Sequence, residues 1–138
     1  MINEGQRAVE NMSKLMTVQQ RIIGDFDGII QPHRRLIREG VVTATYTHGV
    51  FATMRTRKSV FFLFSDLLLW TGESFKFKGS IDLTPAKLSP KSPTSFTIDT
   101  AARVVHVTLD TQQETKSWFE VIDSVVWSVG GETRGGGE

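Results

Sequence analysis

From about Asn3 to Phe26 the apolar residues recur at helical spacing. Met12, Leu15, Met16, Ile22, Ile23 and Phe26 fall on one broad stripe, which Gln19 interrupts. Gly24, Gly28 and Pro32 punctuate the end of this helix. A lone amphipathic helix cannot bury its stripe by itself, so this one packs on the following domain, on a partner, or on another part of a longer parent.

From Leu36 onward the period shortens from 3.6 to 2. The pattern predicts strands at Arg38–Thr47, Lys58–Phe64, Leu67–Thr71, Phe75–Leu83, Ala86–Leu88, Ser95–Asp99 and Arg103–Leu109. Turn residues separate them: His48-Gly49, Ser65-Asp66, Gly72 and Thr100-Ala101-Ala102. The two Ser-Pro pairs, Ser89-Pro90 and Ser92-Pro93, place Ser89–Thr94 in a loop. Strict alternation over Phe75–Lys78 assigns the phenylalanines to the inner face and Lys76 and Lys78 to solvent. The run Val60-Phe61-Phe62-Leu63-Phe64 is apolar on both faces. One face is core; the other needs a cover, which we expect from the N-terminal helix or the linker after it. Asp110 or Thr111 then caps a second helix carrying Glu114 in its first turn and Trp118, Val121, Ile122, Val125 and Val126 at helical spacing. The expected fold is mainly β: a seven-stranded antiparallel sandwich or barrel, one end plugged by the Trp118 indole, with a helix at each terminus. Residues 130–138 read as a flexible Gly-rich tail.

This order of elements resembles a pleckstrin homology (PH) domain over Arg38 to Val129, with Trp118 where such domains keep their helix Trp. Phe61-Phe62-Leu63-Phe64-Ser65-Asp66-Leu67-Leu68-Leu69-Trp70 looks like the hairpin common in PH domains of Rho-type guanine-nucleotide exchange factors, and Phe77-Lys78-Gly79-Ser80-Ile81-Asp82-Leu83 is similar to their next strand. Asn3-Glu4-Gly5-Gln6-Arg7, Glu10-Asn11, Leu15 and Gln19-Gln20-Arg21-Ile22 resemble the last helix of a Dbl homology (DH) domain. Pro32-His33-Arg34-Arg35-Leu36-Ile37-Arg38-Glu39-Gly40 resembles the junction into PH. The resemblance divides the chain into a DH helix and linker (1–35), a PH domain (36–129) and the tail. It implies a cytoplasmic, peripheral-membrane module that regulates or positions a DH domain, and through it meets a Rho-family GTPase. The catalytic body of DH is not in this stretch, so the resemblance implies no exchange activity for it alone.

Charge adds a site to this picture. The total is only +1, which gives no general attraction to nucleic acid. Yet Arg34, Arg35, Arg38, Arg55, Arg57 and Lys58 face only Glu39 between positions 34 and 58, a net +5 against −4 elsewhere. PH domains that bind phosphoinositides place basic residues in the first hairpin loop, so the resemblance implies headgroup contacts by Arg55, Arg57 and Lys58. Each cation near an anionic membrane contributes about 1 kcal/mol, so three give roughly a hundredfold enrichment. Thr43-Ala44-Thr45 carries no Lys, and Ser59 stands where the headgroup motif's final Arg would fall. Weak binding to anionic or phosphoinositide membranes is the expectation. The alternative is a protein-interaction module that binds a GTPase or peptide without significant lipid binding. The unpaired stripe also points to self-association through the N-terminal helix.

Other chemistry finds little support. There is no Cys, hence no disulfide and no thiolate site, and the chain reads as intracellular. His33, His48 and His106 lack ligand spacing, no Gly-rich loop precedes a helix, and no G-x-S-x-G elbow occurs. The sequence therefore predicts no catalytic residue, metal or cofactor.

Overall fold

A computed structural model describes residues 4–24, 28–31, 33–47, 56–100 and 103–135. Its elements run α1 (Glu4–Arg21), β1 (Leu36–Thr47), β2 (Thr56–Phe64), β3 (Leu67–Thr71), β4 (Phe77–Asp82), β5 (Lys87–Ser92), β6 (Ser95–Asp99), β7 (Val104–Thr108) and α2 (Gln112–Gly135). The seven strands form one antiparallel sheet in the order β4-β3-β2-β1-β7-β6-β5. This is the PH-like fold the sequence predicts.

Alternation along β2 divides the molecule. Phe61 and Leu63 point inward and join Val42, Ala44, Leu68, Trp70, Ile81, Phe96, Ile98, Val105 and Val107 in the shell's core. Helix α2 closes one end of that core with Trp118, Ile122, Val125 and Val126. The Trp118 indole is 6% exposed and stands edge-on to Phe61, ring centroids 5.9 Å apart. A Cβ at Gly40 would lie 3.0 Å from the indole, so the missing side chain in β1 makes room for the stopper. Thr111 fixes where α2 starts: its Oγ1 accepts from the Glu114 amide and donates to the Glu114 carboxylate.

Val60, Phe62 and Phe64 point the other way, into a second cluster with Leu69, Leu15, Val18, Ile22 and Ile29. The cover expected over β2 is therefore helix α1 together with the linker. The stripe differs from the periodicity reading. Leu15, Val18 and Ile22 are buried, whereas Met16 and Ile23 are exposed, and Phe26 lies outside the described residues. Val18 was hidden in the pattern because the contact follows the narrow row of spacing three and four through Leu15, not the broader face through Met16.

Three further differences have physical causes. Phe75 and Phe77 belong to the outer cluster, not the inner face. A register shift after Trp70 pairs Thr71 with Phe77, and Phe75 adopts a left-handed backbone (φ 67°), so simple alternation fails there. Strand β5 continues through Pro90 to Ser92, where a loop was expected. It is the sheet's last strand, so an outward-facing position without an N–H costs no ladder bond. Helix α2 runs on to Gly135, past the predicted stop at Val129. Extending an existing helix avoids the nucleation cost, and no proline interrupts Gly130–Gly135.

Candidate functional site

The registers gather one set of connections at the end of the shell opposite Trp118. Thr45 pairs with Thr56, Val60 with Thr71, and Thr47 with Val104, so the β1–β2, β3–β4 and β6–β7 connections share that end. Of the three cations assigned to headgroup contact, Arg55 lies outside the described residues. Arg57 sits in β2 opposite Ala44. Lys58 is exposed opposite Thr43, on the outward side of β2 with Val60 and Phe62. Ser59, at the place of the motif's final Arg, is 3% exposed opposite Val42. Lys76 and Lys78 are exposed at the same end, on the β3–β4 hairpin.

Sequence reasoning missed Arg103. It follows the β6–β7 turn, where Thr100 bonds to its backbone, yet its guanidinium reaches across to the β3–β4 pair. The guanidinium carbon lies 5.5 Å from the Trp70 ring centroid. Nη1 stands 2.8 Å from where a Gly79 Cβ would be, and the Trp70 indole 2.7 Å from the same point. Glycine is required there. The stack holds a cation on the floor of the open end, in a geometry that stabilises charge without a carboxylate. Nothing in the local pattern distinguishes Arg103 from any turn arginine, because its partners are some 30 positions away in sequence.

The remaining arginines of the basic run play other parts. Arg34 is 7% exposed and makes a bidentate pair with Asp66, Nε to Oδ1 and Nη2 to Oδ2, both 2.8 Å. Its Nη1 donates to the carbonyls of Gly28 (2.7 Å) and Ile29 (3.2 Å). Burial works to raise the Asp66 carboxyl, but the Arg34 hydrogen bonds and charge, with a further contribution from nearby His33, outweigh it and hold it below its ordinary value. Arg38 lies over the Trp118 ring at 5.0 Å. Glu39, the run's single acid, faces Arg21 of α1 at 2.6 Å. Among the described residues, Arg34, Arg38 and Glu39 of this run thus serve contacts within the fold, while Lys58, Lys76, Lys78 and Arg103 stand at the open end.

A separate groove of about 360 Å³ lies between the β5–β6 hairpin and α2, lined by Pro90, Pro93, Phe96, Thr115, Lys116 and Phe119 among others. Among the described residues no three His, Asp or Glu side chains form a metal-sized group, and no described helix is long and apolar enough to cross a membrane.

No family model matches the chain. It is 28% identical over 129 residues to the Mus musculus protein named FERM, ARHGEF and pleckstrin domain-containing protein 2, covering 86% of this chain and 12% of that protein. The chain therefore spans about an eighth of that relative's length. Among solved structures, the DH/PH domains of p115-RhoGEF superpose with a TM-score of 0.69 at 18% identity, covering 91% of this chain and 43% of that one. An activated truncation of Vav1 gives a TM-score of 0.74 at 16% identity, over 88% of this chain and 34% of that one. Fold and sequence similarity converge with the hairpin, the helix Trp and the seven-strand order: the chain has the PH-like fold, and in sequence it is similar to a protein named for its ARHGEF and pleckstrin domains.

Proposed function

We propose that this PH domain works within a Rho-family guanine-nucleotide exchange factor, where it positions or regulates a DH domain of which α1 is the last helix. The observation that carries this reading is the docked helix. Leu15, Val18 and Ile22 pack on the barrel, while Val9 and Met16 on another face of α1 are 70% and 45% exposed. A helix with one apolar face on the barrel and a second one open is what a junction between two domains requires. In this reading the Rho-family GTPase is met by the DH domain, and exchange belongs to the longer protein.

The open end adds weak attachment to anionic membrane surfaces, with the protein cytoplasmic and peripheral. Lys58, Lys76, Lys78 and Arg103 stand there. At about 1 kcal/mol each near the surface, they give a salt-sensitive association that needs other contacts of the parent to become tight. Co-sedimentation with phosphatidylserine and phosphoinositide vesicles tests it. Binding by the wild type, lost in Arg55/Arg57/Lys58→Ala, is the expected result; equal binding by both, or none by either, removes the membrane part. The groove beside α2 favours a second reading, in which the domain holds a peptide with no significant lipid binding. Association with a protein partner that survives high salt in the triple variant is its signature.

A further inference from the structure

Helix α1 is tied to the barrel at two places. At its C-terminal end, the Ile23 amide donates to the Phe75 carbonyl (2.8 Å), and the Phe77 amide donates to the Ile23 carbonyl (2.7 Å). Phe75 has a left-handed backbone, and strain of this kind persists only where surrounding contacts fix it. Arg21 completes this end, its guanidinium carbon 4.6 Å from the Phe75 ring centroid and its Nη atoms on Glu39.

The second tie runs through the linker, which folds back antiparallel along the helix. The Ile29 amide meets Gln19 Oε1, and five residues later the Arg34 carbonyl accepts from Asn11 Nδ2 at 2.7 Å. Arg34 sits where helix, linker and barrel meet. Its backbone holds α1, its Nη1 holds the linker carbonyls, and its fork holds Asp66 in the β2–β3 turn. Removing the guanidinium would take a donor from two linker carbonyls and the bidentate partner from Asp66 at once.

We propose that Arg34 is a latch that makes α1 and the β-shell one rigid body, so that a contact made at the barrel is passed to whatever precedes α1. The mechanical part concerns this chain alone. Its regulatory use rests on the reading of α1 as the end of a DH domain. A latch of this kind has a released state, in which the barrel keeps its inner core while the helix swings free; four residues from α1 and the linker in the outer cluster separate the two.

Native-state hydrogen exchange on the whole chain decides it. In the wild type, amides of Leu15–Ile22 exchange within about tenfold of those of Phe61–Leu69, because the closed latch keeps the released state scarce. In Arg34→Ala the helix amides exchange at least about tenfold faster while the barrel amides hold their rate. Asp66→Asn moves the helix in the same direction by less, and Arg34→Lys, which loses the bidentate fork, falls between wild type and Arg34→Ala. Wild-type helix amides already tenfold faster than the barrel would overturn the proposal, as would an unchanged helix in Arg34→Ala. Equal acceleration of helix and barrel would reduce Arg34 to general stability and overturn it too. Should Arg34→Ala fail to fold, the wild-type comparison and Asp66→Asn still decide. In a longer protein that includes the upstream sequence, nucleotide exchange unaltered by a variant whose helix is released would remove the regulatory use and leave the latch standing.

Discussion

The two faces of β2 are filled by different means. Inward, Phe61 and Leu63 belong to a cluster that draws side chains from the other strands and from α2, so each contact is backed by many others. Outward, Val60, Phe62 and Phe64 are covered by Leu15, Val18, Ile22 and Ile29, with Leu36, Leu67, Phe75 and Phe77 at the margin. The inner cluster holds itself together through the sheet. The outer one depends on a segment whose attachment rests on a few polar ties, Arg34 to Asp66 foremost. The same strand thus builds a cooperative core on one side and a separable joint on the other.

Mutations can break this contrast in order of size. Trp118→Ala opens the plugged end and should cost about 4 kcal/mol, with barrel and helix signals lost in one urea transition. Leu15→Ala should cost about 3 kcal/mol or less. Its effect falls first on α1, seen as faster exchange of Leu15–Ile22 before any change in Phe61–Leu69. A result in which Leu15→Ala loosens the barrel core as early as the helix would erase the distinction between the clusters.

Acid sharpens the contrast further. Arg34 holds the Asp66 carboxyl below its ordinary value in the folded state, so its contribution is complete above the ordinary value and is lost as pH falls through the lower, folded one. Helix α1 should therefore loosen below about pH 4 in urea titrations. Asp66→Asn should be less stable at neutral pH and lose part of that acid dependence. The smallest effect belongs to the partly exposed pair of Arg21 and Glu39. Glu39→Gln should change stability by under about 1 kcal/mol, and less in high salt.

The strands and the plugged end were legible in the sequence because alternation, turn residues and a capped helix with a central Trp are local signals. The need for a cover over β2 was legible too, since Val60–Phe64 offers phenylalanines to both faces. What stayed hidden depends on contacts distant in sequence. The pattern could not separate Val18 from Met16 without knowing where α1 lies on the barrel. Arg34 read as one more surface cation because its acid is 32 residues away. Arg103 was invisible for the same reason, its Trp70 platform belonging to the other side of the open end. Phe75 misled because one left-handed residue and one register shift send Phe75 and Phe77 to the outer cluster.

Urea unfolding of a chain shortened to begin at Gly28, measured beside the whole chain with an apolar fluorescent dye present, tests the central claim most directly. If α1 is an integral cover of the sheet, the shortened chain has a lower midpoint and binds dye at the surface left by Leu15, Val18 and Ile22. An unchanged midpoint without dye binding would contradict it.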